Sequence, residues 1–140
     1  MIRSIFAMLI VLLSGSMALA AETGTIMGEL GYPGEYVPAL YIVAFALDAG
    51  ETRVFTTTDG QQSFTLVDLK AGNYAVVAYL KEDTSIVGGY TKFALTDLST
   101  KYNDHTLLQV PVVAGKTTTG VQIRDWYAPK GTLPVFPGVG

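Results

Sequence analysis

Short runs of alternating apolar and polar residues, separated by glycine-containing turns, fill most of the chain after its apolar start. The clearest run is 63–67, in which Phe64 and Leu66 alternate with Ser63, Thr65 and Val67. A period of two residues is typical of a strand that buries one preferred face. The run 74–80 is apolar at every position, which is typical of a central strand covered on both sides. We expect the rest of the chain to pack around these two strands.

Similar runs predict the remaining strands. They lie at residues 23–30, 40–47, 51–57, 86–93, 106–113 and 117–123. Asp59-Gly60 is a two-residue turn signal, so we expect a hairpin that pairs strand 51–57 with the strand that follows the turn. Pro111 has no N–H to donate, which predicts a sheet edge. Gly28, predicted on the inward face of the first strand, permits a close backbone approach.

The spacing of these strands fixes the fold class. No segment after residue 20 has the period of an amphipathic helix, and the strands follow one another at short, regular intervals. This pattern predicts an all-β protein, a single Greek-key, immunoglobulin-like β-sandwich of about seven or eight strands. Tyr74 follows a corner at 69–72 and resembles the tyrosine corner of such sandwiches, where the ring packs in the core and the hydroxyl bonds backbone a few residues upstream.

Spaced residues between Gly24 and Leu80 also carry a family resemblance. They are Gly24-x-Ile26-x-Gly28-x-Leu30, Pro38-Ala39 and Thr58-Asp59-Gly60-x-x-Ser63-Phe64-x-Leu66-x-x-Leu69-x-x-Gly72-x-Tyr74-x-Val76. This pattern resembles the carboxypeptidase regulatory-like domain, a transthyretin-like β-sandwich related in shape to starch-binding domains. The resemblance implies that fold in a free-standing, secreted bacterial form. It implies no peptidase activity, because in the peptidases this sandwich accompanies a separate catalytic domain.

Residues 1–20 are typical of a secretory signal. Arg3 precedes an apolar run from Ile5 to Leu13, and Ala18-Leu19-Ala20 is a small-residue cleavage site. The run is shorter than the ~20 residues that cross a bilayer, and the cleavage site favours removal over an uncleaved anchor. We therefore expect cleavage after Ala20, a mature sandwich at 21–128 without a transmembrane segment, and a secreted, cell-surface or periplasmic location.

Composition narrows the classes of partner and chemistry. The formal net charge is −3, and no basic patch occurs, which argues against a nucleic-acid partner. The absence of cysteine excludes disulfides, cysteine catalysis and cysteine-based zinc sites. The segment 129–140 is rich in Pro and Gly, so we expect a flexible or extended tail with little to bury.

His105 is the single histidine of the chain. A catalytic triad needs it beside a serine and a carboxylate, but adjacent strand residues such as Asp104 point to the opposite face. We interpret His105 as a loop or strand-end histidine that bonds backbone, and we predict no catalytic residue, no cofactor and no enzyme activity. One histidine argues against zinc. Asp97, Asn103 and Asp104 share a polar loop whose oxygens suit calcium, and the sequence leaves that question open.

Aromatic residues are the candidate ligand-binding group, namely Trp126, Tyr127, Tyr102 and Tyr36. Exposed rings on a sandwich can stack on sugars, whereas an aromatic pair after the last strand can also plug the end of the core. We therefore expect a secreted, non-catalytic module that acts by binding or as a structural interaction protein. The alternative is a carbohydrate-binding module with its aromatics around Trp126. The partner is then an extracellular or periplasmic protein or a polysaccharide.

Overall fold

The computed structural model describes residues 22–48 and 50–139, and the predicted leader with its cleavage site lies outside the described residues. The strands are β1 (Thr23–Leu30), β2 (Leu40–Ala46), β3 (Arg53–Thr56), β4 (Ser63–Lys70), β5 (Gly72–Leu80), β6 (Val87–Gly89), β7 (Val110–Val112) and β8 (Thr117–Ile123), and a 3₁₀ helix spans Phe93–Leu95. The prediction of an all-β sandwich is confirmed. Within the described ranges, no helix has the length and apolar character needed to cross a membrane.

The strands form two sheets. The first has the order β4-β1-β8, in which β1 is antiparallel to β4 and parallel to β8. The second has the order β3-β2-β5-β6, and β7 also pairs with β5. β6 pairs with residues 77–79 of β5 and β7 with residues 72–74, so the two short strands share one edge of β5. Pro111 in β7 therefore lies in an edge strand, as predicted.

The main core lies between the sheets, and alternation along the strands fills it. β4 buries Phe64 and Leu66 at a period of two, and then Leu69. The step from Leu66 to Leu69 is three residues instead of two, because β4 has a bulge there. Asp68 has φ 59°, and the pairing register with β1 shifts at this point. An extra residue in one strand turns the following side chains to the other face. The bulge therefore turns Leu69, and not Asp68, into the core.

The outer face of β5 is covered as well, as its continuous apolar pattern predicts. Val43, Val77 and Tyr79 form a second buried cluster, with Leu107 and Phe136 packed against it. Phe136 belongs to the C-terminal tail, so the expectation that the tail has little to bury is wrong. A strand that is apolar on both faces has to bury its outer face as well as its inner one. The C-terminal tail covers part of this outer face.

The predicted hairpin across Asp59-Gly60 is wrong. β3 pairs with β2, and β4 pairs with β1 in the other sheet. The turn instead carries the chain between the sheets: Asp59 Oδ1 accepts from Ala39 N at 2.8 Å, and Gly60 N donates to Val37 O at 2.7 Å. These bonds tie the turn to the segment before β2, which directs β4 to the opposite layer.

The tyrosine corner is present. The Tyr74 hydroxyl donates to Lys70 O at 2.6 Å, and its ring is buried. Burial raises the pKa of this hydroxyl above its usual value. The bond holds the turn between β4 and β5, one of the connections at which the chain passes from one sheet to the other.

We expect Tyr74→Phe to lower the free energy of unfolding by about 1 kcal/mol, because the Lys70 carbonyl loses its donor while the ring still packs in the core. Urea denaturation measures the change. Tyr36→Phe is the matched control, because Tyr36 is an exposed loop residue and its hydroxyl contributes no core contact. Equal denaturation midpoints for the two variants would contradict a stabilising corner.

Candidate functional site

Asp125 is a fully buried carboxylate just after β8, with 0% of the residue exposed. The pattern of β8 explains its direction: Val121 and Ile123 face the core, and the next residue at a period of two is Asp125. Its backbone pairs with Gly89 in both directions, at 3.0 and 3.2 Å. A buried carboxylate is costly unless hydrogen bonds replace its water, so its partners matter.

Three hydrogen-bond partners converge on this carboxylate. Thr91 Oγ1 donates to Asp125 Oδ2 at 2.7 Å, and His105 Nδ1 lies 2.7 Å from the same oxygen. The backbone N–H of Tyr127 donates to Asp125 Oδ1 at 3.1 Å. Thr91, itself fully buried, also accepts from Ala94 N at 3.3 Å. The network joins the end of β8 to the segments on both sides of the 3₁₀ helix.

The partner of His105 differs from the one that we predicted. Its imidazole bonds the side chain of Asp125, 20 residues away in sequence, instead of a backbone group. The ring also packs against Phe93 with centroids 4.5 Å apart, and the His105 side chain is 10% exposed. Sequence reasoning missed Asp125, although the period of two along β8 was a signal that its side chain points inward.

An open pocket of about 430 Å³ lies beside this network. We call it the His105 pocket; its lining residues are Asn103, Asp104, His105, Thr106, Leu107, Pro129 and Thr132. One wall comes from the loop before β7 and the other from the start of the tail. Apart from Leu107 and Pro129, all lining residues have polar side chains that can donate or accept hydrogen bonds.

The acidic side chains of the neighbouring loop close local turns. Asp104 Oδ1 accepts from the Thr106 hydroxyl at 2.6 Å and from Thr106 N at 3.1 Å. These hydrogen bonds, the hydroxyl bond first, lower the pKa of Asp104. Asp97 Oδ1 accepts from Ser99 N at 3.1 Å. Within residues 22–48 and 50–139, no cluster of three or more acidic or histidine side chains is placed to hold a metal ion.

Trp126 faces the end of the core. Its indole N–H donates to Gly31 O, and its ring meets Tyr32 edge-on at 5.1 Å. A Cβ on Gly88 would collide with the indole, so the ring lies directly on the backbone of β6. These contacts support the interpretation of Trp126 as a plug for this end of the sandwich.

The three candidate tyrosines are more exposed. Tyr127 is 48% exposed, Tyr36 61% and Tyr102 39%. Tyr127 packs against Phe93 at 5.8 Å, the same ring that contacts His105. Tyr127 and His105 therefore contact the same ring. Tyr102 lies in the loop before β7, directly before the pocket residue Asn103, whereas Tyr36 lies in the loop after β1. The four candidates do not form one continuous aromatic platform.

Comparison with known proteins adds no identification. No family model, no curated protein and no solved structure matches this chain. The resemblance to the carboxypeptidase regulatory-like domain accordingly stays a prediction from the residue pattern, and the function has to be inferred from the site itself.

Proposed function

We propose that this protein is a secreted, non-catalytic β-sandwich module that acts by binding, and that the His105 pocket is its binding surface. The observation that carries the proposal is the fixed geometry of this pocket. Its histidine is held by a fully buried carboxylate at 2.7 Å, while the wall formed by Asn103 and Asp104 is open to solvent. Ligand sites typically combine such a rigid support with a few placed polar groups.

The tail supports the same proposal, because it completes the pocket. Pro129 and Thr132 form one wall, and the segment that follows them is anchored to the second sheet. The Tyr79 hydroxyl donates to Pro134 O at 2.6 Å, and Phe136 stacks on Tyr41 with centroids 4.8 Å apart. These contacts hold the wall in place, which lowers the entropy cost of binding.

Sheet edges are a weaker candidate for the binding surface. Both outer strands of the first sheet carry a bulge. In β4 it lies at Asp68, with φ 59°, and in β8 at Gly120, with φ 83°; the register to β1 shifts at each. Bulges bend an edge away from the flat geometry that strand addition needs. At the edges of the first sheet, these bulges disfavour binding by an added strand.

Carbohydrate binding is the second candidate, and one observation favours it. Tyr127 exposes about half of its surface and packs against Phe93, the ring that also contacts His105 in a pocket lined by hydroxyl, amide and carboxylate groups. Rings beside such groups suit sugars, which present apolar faces and hydroxyls together. The aromatic that serves this purpose is Tyr127 and not Trp126, because the indole is turned into the end of the core.

The test is retention of the purified protein on insoluble cellulose, chitin, starch and peptidoglycan. We expect wild-type protein to bind at least one of them and Thr132→Arg, which fills the pocket, to bind at least about tenfold more weakly, a loss of about 1.4 kcal/mol. Thr65→Arg is the matched control, because Thr65 is exposed on the outer face of β4. Equal binding by both variants would place the site elsewhere. Retention on none of the four would reject the carbohydrate candidate and leave a protein partner.

A further inference from the structure

We infer that His105 contacts the ligand directly through Nε2, as a hydrogen-bond acceptor, and that the ligand is a polyhydroxylated molecule without negative charge. The inference rests on the proposed function, since it names the ligand class of the same pocket. It assigns two roles: His105 touches the ligand, and Asp125 positions His105.

The hydrogen bond to Asp125 selects the form of the imidazole. An ionised carboxylate only accepts hydrogen bonds, and Asp125 accepts from Thr91 Oγ1 and from Tyr127 N as well as contacting His105 Nδ1. His105 Nδ1 therefore carries the proton. In the neutral ring, Nε2 is then an acceptor. A carboxylate behind a histidine is the usual device by which proteins fix the tautomer and orientation of a functional imidazole.

The surroundings of the ring direct Nε2 to the pocket. The Nδ1 edge faces the buried Asp125 carboxylate, and one face of the ring lies against Phe93. The His105 side chain is 10% exposed, and His105 lines the pocket. The exposed part of the ring therefore faces the pocket. Among the described residues, Asp125 is the hydrogen-bond partner of the imidazole. A ligand donor can therefore occupy the free nitrogen.

Charge at the lining disfavours an anionic ligand. Asp104 lines the pocket and Asp125 lies beneath it, whereas the basic groups nearby are exposed: Lys92 lies 3.7 Å from Asp104, and Lys130 lies between Pro129 and Thr132 along the chain. The pocket lining itself has no lysine or arginine, so the two carboxylates repel phosphate, sulfate or uronate groups that reach it. Their lone pairs instead favour ligands that donate hydrogen bonds.

The remaining polar groups define the ligand further. Asn103 presents both a donor and an acceptor, and the hydroxyls of Thr106 and Thr132 can do both as well. A ligand that matches this mixture needs groups that also donate and accept. Hydroxyl groups meet that requirement, and several of them on one molecule match several lining residues at once. A neutral oligosaccharide is the chemical class that satisfies the charge and the hydrogen bonding together.

Nuclear magnetic resonance of ¹⁵N-labelled histidine tests this inference, because His105 is the single histidine. In wild-type protein at neutral pH we expect the tautomer with the proton on Nδ1 and an unprotonated Nε2. Asp125→Asn should disturb that preference if Asp125 positions the ring. A wild-type spectrum averaged over both tautomers, as in free histidine, would overturn the positioning role.

Binding is measured with cellohexaose, chitohexaose and maltohexaose as neutral probes and with oligogalacturonate as the acidic one. We expect a neutral probe to bind and to shift the Nε2 resonance. His105→Asn retains a donor near the Nδ1 position but removes the Nε2 edge, and we expect it to bind about tenfold more weakly, the loss of one hydrogen bond. Matching urea midpoints would show that this variant is folded.

The outcomes separate the two proposals. A neutral probe that binds without shifting Nε2, and that binds His105→Asn equally well, would overturn this inference while the proposed function stands. Preference for oligogalacturonate would overturn the ligand class alone. If the purified protein binds none of the oligosaccharide probes and is retained on none of the four polysaccharides, both the inference and the carbohydrate candidate are overturned.

Discussion

Replacing Asp125 by alanine is expected to lower the free energy of unfolding by about 3 kcal/mol or more, because three buried hydrogen bonds lose their shared acceptor. The carboxylate is fully buried and accepts from Thr91, His105 and the Tyr127 backbone. Alanine leaves all three partners without their acceptor at a position that is fully buried. Each unsatisfied buried donor costs about 1–3 kcal/mol, which is consistent with that sum.

Urea denaturation followed by the fluorescence of Trp126 measures this change, because the chain has a single tryptophan. Glu82→Ala is the matched control, since Glu82 is an exposed acid in the turn after β5 and its removal should leave the midpoint nearly unchanged. Similar midpoints for the two variants would refute a structural role for the network. A double-mutant cycle with His105→Ala then measures how much of the loss belongs to the pair itself.

Gly28→Ala is the second substitution with a large expected effect. A Cβ at this position would lie less than 3.0 Å from the Val121 carbonyl oxygen and from the Phe64 ring. The ring could move, but the carbonyl belongs to the backbone of β8, so the parallel β1–β8 pair has to separate. Overpacking of a core costs about 1–3 kcal/mol, and more where the backbone must shift. We expect a loss at or above the top of that range.

Gly31→Ala is the matched control for this substitution. A Cβ at Gly31 would meet the Arg124 Cγ at 3.1 Å, and a flexible arginine side chain can yield. Thermal unfolding of the two variants checks the prediction, and we expect a clearly lower Tm for Gly28→Ala only. Equal Tm values would show that β1 and β8 can separate to accommodate the Cβ without a loss of stability. The close approach predicted for Gly28 from its place on the inward face is the property under test.

Part of the candidate site could be predicted from the sequence. Tyr127, Tyr102 and Tyr36 were singled out as aromatic candidates, and all three are exposed. His105 was singled out too, but with the wrong partner. The buried acid was missed because acidic residues are rarely fully buried, although the inward period of β8 continues to Asp125. A contact across 20 residues is invisible to any pattern of short range.

Local periodicity was sufficient for the all-β class, the approximate strand positions and the tyrosine corner, because each of these depends on neighbouring residues along the chain. Only the tertiary structure decided the partner of β3, the direction of the Trp126 ring, the cover that Phe136 gives to β5 and the contact of His105 with Asp125. These features depend on which distant segments meet. Two requirements decide which segments meet: both faces of β5 must be buried, and buried polar groups must find hydrogen-bond partners. Only the whole fold can meet these requirements, because no single segment supplies both sides of the contacts.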